Sequence, residues 1–456
     1  MRSAPHSFSR ILVANRGEIA LRVIRACHEL GVEAIAVYSE ADRDSLPVRL
    51  ADGSICIGPA PSNQSYLRGD LLVAAARVAR VDAIHPGYGF LSENASFARA
   101  CEEARIAFIG PSAEAIAVMG DKTSARRVAA GAGVPITPGT PGTVADAEAA
   151  REAADSLGYP VLLKAAAGGG GRGMRVVRSA AELPVRFADA AREAKGAFGD
   201  AGLYVEKFLE RVRHVEIQVL SDGDTVLHLG ERDCSIQRRN QKLLEESPSP
   251  VLDETLRTRM GEAAVRICRQ VGYKSAGTIE FIVDAATGSF YFMEMNTRVQ
   301  VEHPVTEAVT GIDIVKAQIR IAQGERLEIA QDDVRLTGHA LECRINAEDP
   351  ARDFAPCPGE VRELHLPEGP GIRVDSHVQA GYRIPPYYDS LLAKVVAWGV
   401  DRDEAIVRMR RALSEMRVVG VPTTIPFHLR LLSDERFVSG DVHTRFIEDE
   451  FARMTS

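Results

Sequence analysis

Apolar and polar positions alternate with two periods along the first hundred residues. ILVA at 11–14 and VEAIAVYS at 32–39 are short aliphatic runs of strand type. Between them, GEIALRVIRACHELG places its apolar residues at helical spacing and ends at Gly31. DAIHPG at 82–87 and AFIGP at 107–111 repeat the strand pattern around a helix near 93–104. Strands alternating with helices predict a parallel sheet covered on both faces. The stretch GPSAEAIAVMGDKTSARRVAAGAGVPITPGTPG breaks this rhythm, and its Pro-, Gly- and Thr-rich end reads as a domain junction.

A smaller unit comes next, from 161 to about 220: strand PVLLKA, a glycine run, strand MRVVRS, a helix near 185–197, then strands LYVEKFL and HVEIQVL. The helix AEAAREAADSLG leads into it. Returning strands dominate from 225 to 292, interrupted by a helix at 255–272, and a long helix near 312–324 closes this part. From about 333 come short strands and turns, then a helix at 402–416. Residues 3–9 read as a frayed leader.

With 456 residues, 45% of them hydrophobic, the chain is long enough to divide its core among two or three domains. A net charge of -8 argues against a general nucleic-acid surface. No run approaches the ~20 apolar residues of a membrane span. The seven cysteines, Cys27, Cys56, Cys101, Cys234, Cys268, Cys343 and Cys357, form no C-x-x-C pair, so a reducing, cytoplasmic setting is expected.

KAAAGGGGRGM poses the first chemical question, because four consecutive glycines are costly to order. They lie between two strands, so they form a hairpin tip, not the strand–loop–helix of a G-x-x-x-x-G-K-[ST] phosphate loop. Such a tip is either a flexible loop or a cover whose N–H groups close over phosphates, with Lys164 and Arg172 as charges. The acids further on favour the second reading. Glu280 in TIEFIV and Glu294 in FYFMEM sit inside apolar runs, where an unpaired charge is expensive. Glu294 and Asn296, two apart, share one strand face, and hard oxygen ligands of this kind suit magnesium on nucleotide phosphates. Arg298, Gln300 and Glu302 continue the alternation, giving five polar positions in register. An arginine beside a glutamate can hold a small anion and accept its proton.

As a set these motifs are specific. NRGEIALRVIRAC, AIHPGYGFLSEN, MGDK, KAAAGGGGRGM, YVEKFLE, RHVEIQV, ERDCSIQRRNQKLLEESP, GTIEF, MEMNTRVQVEHPVTE, LECRINAED and PPYYDSLLAK span nearly the whole chain. It resembles biotin carboxylase, the ATP-grasp component of biotin-dependent carboxylases, and specifically the free-standing subunit that serves acetyl-CoA or another acyl-CoA carboxylase.

The resemblance implies an α/β, ATP-grasp fold. It would comprise a Rossmann-like parallel sheet at 1–120, an ATP-grasp domain at 121–330 with a mobile glycine-rich lid at about 137–210, and a C-terminal α+β domain at 331–456. It implies that Lys122, Lys164 and the tip glycines Gly168, Gly169, Gly170 and Gly171 hold ATP phosphates. Glu206, Lys207 and Leu209 would read adenine and ribose, with His214, Gln237 and Asn240 as further nucleotide contacts. Glu280 and Glu294, with Asn296 beside them, would bind Mg2+ or Mn2+. Lys242, Arg298, Gln300, Val301 and Glu302 would form the bicarbonate pocket, and Arg344 with Tyr88 the biotin site.

The implied chemistry has Glu302 deprotonate bicarbonate, which attacks the γ-phosphate to give carboxyphosphate and ADP. Carboxyphosphate falls to CO2 and phosphate, the phosphate takes the ureido proton of biotin, and Arg344 stabilises the enolate-like oxygen. The implied role is the first half-reaction of an acyl-CoA carboxylase, supplying malonyl-CoA for fatty acid synthesis. The alternative is the same portion of a propionyl-CoA, methylcrotonyl-CoA or pyruvate carboxylase. No methionine is followed by lysine, so a separate biotin carboxyl carrier protein and a separate carboxyltransferase are expected. A homodimer is also expected.

Three positions depart from the family pattern. Ala166 and Ala167 stiffen the glycine tip, Asn240 stands where many members have histidine, and Pro370 stands where bulkier residues help form a dimer surface. His85, His303 and Asp389 read as structural residues, and Trp398 as core. Two other classes compete: another ATP-grasp ligase, which the Arg298–Glu302 run and Arg344 oppose, and a non-catalytic nucleotide binder, whose acid and lysine positions would be decayed.

Overall fold

The computed structural model describes residues 7–166, 174–284 and 287–451. Among them, a five-stranded parallel sheet runs in the order Gly53–Cys56, Glu33–Tyr38, Arg10–Val13, Ala83–His85, Ala107–Phe108. Helix Gly17–Glu29 packs Ile19, Val23 and Ile24 on one face against Ile11 and Val13. The other face, through Leu12 and Ile35, meets Leu72, Ala76 and Phe97. Burial on both sides is why the central strand reads as an unbroken apolar run. The run LLVAAARVA conceals a helix, Gly69–Ala79, whose few polar residues mask its period. Phe8 is buried and the Ser9 backbone N–H donates to Asp82 at 2.6 Å, so the expected frayed leader is packed from Phe8 onward.

The segment read as a break contains two helices, Ala113–Gly120 and Lys122–Gly131, divided by Asp121, whose side chain caps the second through the Ser124 N–H at 2.8 Å. Residues 132–146, beyond the second helix, are irregular apart from isolated bridges at Ile136, Gly139 and Val144. Strands Val161–Ala165 and Met174–Val177 pair antiparallel, with Lys164 opposite Met174, and Leu203–Lys207 lies on the other side. The expected hairpin flanks are therefore present. The glycines Gly168, Gly169, Gly170 and Gly171, with Ala167 and Arg172, lie outside the described residues.

An antiparallel eight-stranded sheet forms the centre, in the order Ser289–Asn296, Ser275–Asp284, Arg213–Ser221, Val226–Arg238, Gln241–Ser247, His339–Asn346, Leu391–Gly399, Ile372–Ser376. The long strands of the tail extend this sheet, because Gln241–Ser247 pairs directly with His339–Asn346. Helices Glu254–Gln270 and Arg402–Glu415 bury apolar stripes beneath its two halves. Helix Ile314–Ala322 is shorter than its pattern suggests, starting at an Asp313 cap on the Lys316 N–H. Trp398 is half-buried at the sheet's margin, its indole N–H donating to the Thr337 carbonyl at 2.9 Å, rather than a core residue.

Candidate active site

Three neighbouring strands carry one carboxylate each in a single row. Glu216 lies opposite Glu280, and Glu280 opposite Glu294. Like charges directly across a sheet repel, so buried cations must compensate. Arg232, fully buried, sits opposite Glu216 and donates to it at 2.6 Å. Its other N–H groups reach Gln218 at 2.6 Å and Thr278 and Thr306 at 3.0 Å each. Lys242 donates to Glu216 at 2.6 Å, Glu302 at 2.7 Å and Glu280 at 3.1 Å, using all three ammonium protons.

The charges are strongly coupled. Burial opposes the Lys242 ammonium, but the carboxylates of Glu216, Glu280 and Glu302 outweigh it and hold Lys242 protonated. Burial also opposes the Glu302 anion, and Lys242, then Arg344 and Arg232, drive it well below the usual carboxylate range. Glu280 is likewise held low, against its burial, by Lys242 and His214. His214 is 3.1 Å from Glu280, which raises its affinity for a proton despite burial.

Arg344, from strand His339–Asn346, donates to Glu245 at 2.7 Å and Glu302 at 2.9 Å. Glu245 is buried, and burial, only partly offset by Arg344, pushes its carboxyl up to about 7. The Arg344 carbonyl is fixed from behind by Thr424 and His428, both at 2.9 Å. The guanidinium is thus held between two acids on a rigid strand.

The alternation read from Glu294 to Glu302 is not one strand face. The strand ends at Asn296, a loop intervenes, and Glu302 stands immediately before helix His303–Thr310, with no side-chain capping bond and with Pro304 in the helix's first turn. The side chains converge through hydrogen bonds instead of through a pleat. Arg298 donates to Gln300 at 2.6 Å and to Asn296 at 2.9 Å, and Gln300 and Asn296 reach Glu280 at 3.3 and 2.8 Å. Glu93, from the N-terminal unit, grips the loop through the Thr297 N–H at 2.9 Å and the Arg298 guanidinium at 2.8 Å. His303 is wholly buried with Nδ1 2.8 Å from the Gln300 carbonyl, as a structural histidine would be.

Tyr88 reaches the region from the parallel sheet. The Asn15 amide donates to the carbonyls of Pro86 and Tyr88 at 2.6 and 2.8 Å, and the Tyr88 hydroxyl donates to Glu18. Gly87, at φ +62, is required for this turn: a Cβ there would lie 2.9 Å from the Asn15 amide nitrogen.

A second group gathers at the small three-stranded sheet. Lys164 and Arg126 both donate to the buried Glu206, at 2.8 and 2.6 Å. Lys207 donates to the carbonyls of Gly158 and Tyr159 at 2.8 and 3.2 Å, and Leu209 is half-buried just beyond. Gln237 lies in register with Lys242. Asn240 is exposed at the hairpin tip with φ +64 beside Arg239 at φ +50, a pair of left-handed residues that asparagine tolerates well. Lys122 opens helix Lys122–Gly131.

A divalent cation fits the acid row. Carboxylate oxygens of Glu280 and Glu294 with the amide oxygen of Asn296 are hard donors suited to Mg2+ or Mn2+. Burial, then the charge of Glu280, lifts the Glu294 carboxyl above its usual range, with Lys122 opposing, and a shared cation would offset that repulsion. Among the described residues, two groups of three side chains also have metal-ligand spacing, His214–Glu216–Glu280 and Glu216–Cys234–Glu302. Burial and Glu216 push the Cys234 thiol well up, so it stays neutral and makes a poor partner for a hard ion.

Glu216, Arg232, Glu245, Glu93 and Arg126 have no role in the sequence reading. Glu216 carried the same signal as Glu280, an acid within an apolar strand, VEIQV. Glu245 and Arg232 sit beside other polar residues, and only the register of distant strands brings them in.

The chain matches three family models: the biotin carboxylase N-terminal domain over residues 7–116, the carbamoyl-phosphate synthase L chain ATP-binding domain over 121–330, and the biotin carboxylase C-terminal domain over 342–449. It is 58% identical to a biotin carboxylase of Nostoc sp., over 97% of this chain and 99% of that one. Its fold superposes with TM-score 0.92 on a Campylobacter jejuni biotin carboxylase–β,γ-ATP complex, at 49% identity over 98% of this chain and 99% of that chain. It superposes with TM-score 0.90 on the biotin carboxylase domain dimer of Hydrogenobacter thermophilus 2-oxoglutarate carboxylase, which holds MgADP, ADP and bicarbonate. The identity is 50% over 97% of each chain.

Proposed function

Because the chain belongs to the biotin carboxylase family, ATP-grasp ligases that form a C–N bond, we propose that it carboxylates biotin on a carrier protein, using ATP and bicarbonate. The observation that carries this reading is the convergence of Glu302 with Lys242 and Arg344, at 2.7 and 2.9 Å, beside the row of acids.

ATP lies with its phosphates toward Lys122, Lys164 and Gly168 to Gly171. Glu206, Lys207 and Leu209 face its base and sugar, with His214, Gln237 and Asn240 alongside. Mg2+ or Mn2+, held by Glu280 and Glu294 with Asn296, neutralises phosphate charge when bound. Lys242, Arg298, Gln300 and Val301 fix bicarbonate, and fixing two reactants in contact removes most of the entropy cost of their meeting. Glu302 accepts the bicarbonate proton as its oxygen attacks the γ-phosphate, giving carboxyphosphate and ADP. An anion that enters among Lys242, Arg298 and Arg344 shares the cations that hold Glu302 low, and so makes Glu302 a stronger base at the moment it is needed. Carboxyphosphate yields CO2 and phosphate, the phosphate takes the ureido proton, and Arg344 stabilises the oxygen of the biotin enolate, with Tyr88 on that side.

The family division at about residues 120 and 330 is part of the same reading and is supported by the matched ranges, and a lid at about 137–210 belongs to it as well. A homodimer, supported by the dimer of the Hydrogenobacter domain, and a separate biotin carboxyl carrier protein and carboxyltransferase also belong to the reading. A cytoplasmic location belongs to the same reading, supported by seven free cysteines; among the described residues no helix is long and apolar enough to cross a membrane. The test is transfer of labelled bicarbonate to free biotin. ATP-dependent formation of labelled carboxybiotin is expected, and label that enters another carboxylate or amine acceptor instead overturns the proposal.

A further inference from the structure

The loop that carries Arg298, Gln300 and Glu302 is gripped from its outer side by Glu93, and from beneath by a residue with no role so far. Lys394, on strand Leu391–Gly399, has no exposed surface. Its ammonium donates to the Val301 carbonyl at 2.8 Å and lies 3.1 Å from Glu18 and 3.9 Å from Asp375. Glu18, on helix Gly17–Glu29, also accepts the hydrogen bond of the Tyr88 hydroxyl.

Three parts of the chain thus meet at one nitrogen: the parallel sheet through Glu18, the catalytic loop through Val301, and the tail strands through Lys394 itself. An ammonium without solvent is costly, and an apolar side chain would fill the same space at less cost. What an apolar side chain cannot supply is a fixed donor to the Val301 carbonyl. That carbonyl belongs to the peptide joining Val301 to Glu302, so its direction sets the path into the helix and the point from which the Glu302 side chain departs. On the far side, the Lys394–Glu18 pair holds the acceptor that orients Tyr88.

We propose that Lys394 is a positioning residue for carboxylation: through the Val301 carbonyl it aims Glu302 at bicarbonate, and through Glu18 it ties that aim to Tyr88 on the biotin side. The proposal rests on the biotin carboxylase reading above. Lys394 touches no reacting atom in it. Its loss should therefore weaken the bicarbonate side and the response to biotin while sparing the nucleotide side, whose residues sit on other strands.

The test compares Lys394→Met, Lys394→Arg and the double variant Glu18→Gln/Lys394→Met, which neutralises the acid nearest Lys394 together with it, in ADP release with full titrations of bicarbonate, ATP and free biotin. The expected result is a bicarbonate KM raised about tenfold or more, an ATP KM within about twofold, weaker stimulation by biotin, and partial recovery in Lys394→Arg. Parallel losses for all three substrates, or no change in a folded variant, overturn the proposal. So does failure of both methionine-containing variants to fold, which makes Lys394 a purely structural clamp. Wild-type protein assayed alongside separates the two readings: absence of bicarbonate-dependent ADP release there overturns the functional reading itself.

Discussion

Lys242 lies 2.7 Å from Glu302 while holding Glu216 at 2.6 Å, so one ammonium joins the general base to the row of acids on the central sheet. The pair makes Glu302 fully ionised at neutral pH and fixes its direction, at the cost of basicity. The arrangement suits a base whose substrate is an anion that competes for the same cation.

Glu302→Gln keeps the shape and removes the proton acceptor. Bicarbonate-dependent turnover should fall by about 10²–10⁴-fold, with the ATP KM little altered. Steady-state ADP release measures this, and turnover within twofold of wild type rules out the assigned role.

Arg344→Gln removes a guanidinium shared by Glu245 and Glu302. The biotin-dependent rate should drop by about 10²-fold or more, the scale of losing one oxyanion donor, and by more than the ATP cleavage that bicarbonate supports without biotin. Comparing the two rates in one preparation checks the assignment; equal losses contradict it.

Much of this site was legible in the sequence, and the limits are physical. Glu280 and Glu294 stood out because an acid inside an apolar strand has to be paired. The convergence of Arg298, Gln300 and Glu302 was also legible, though for the wrong reason, since a polar alternation of period two continues past Asn296 into a loop held by Glu93. Glu245, Arg232 and Lys394 stayed hidden because their partners lie on strands far off in sequence, and register, not spacing, creates the contacts. The parallel sheet was readable from its periods, whereas helix Gly69–Ala79 has too few polar residues to show one.

Glu246 links the site's strand to helix Arg402–Glu415: it faces His339 at 2.7 Å and Arg402 at 2.7 Å. Burial raises its carboxyl, but Arg402 and His339 overcome this and hold it down to about 2, against 4.5 unperturbed. A depressed carboxyl contributes stability that is present above its unfolded value and lost as pH falls through its folded value. The loss therefore falls between pH 4.5 and about 2, and amounts to about 3 kcal/mol. Glu246→Gln should lower the melting temperature at pH 7 and flatten the acid limb of a denaturant-midpoint series; an unchanged acid limb contradicts the assignment.

Arg232→Met should destabilise the fold by about 3–5 kcal/mol, because it strands Glu216 without its arginine in a site that water does not reach. Urea unfolding measures the change. A loss under about 1 kcal/mol shows that Lys242 alone suffices for Glu216.

The most direct measurement is ADP release from ATP and Mg2+ with bicarbonate and free biotin added or withheld in turn. Release should require bicarbonate, rise with biotin and be abolished by EDTA. Release that proceeds equally well without bicarbonate contradicts the biotin carboxylase reading.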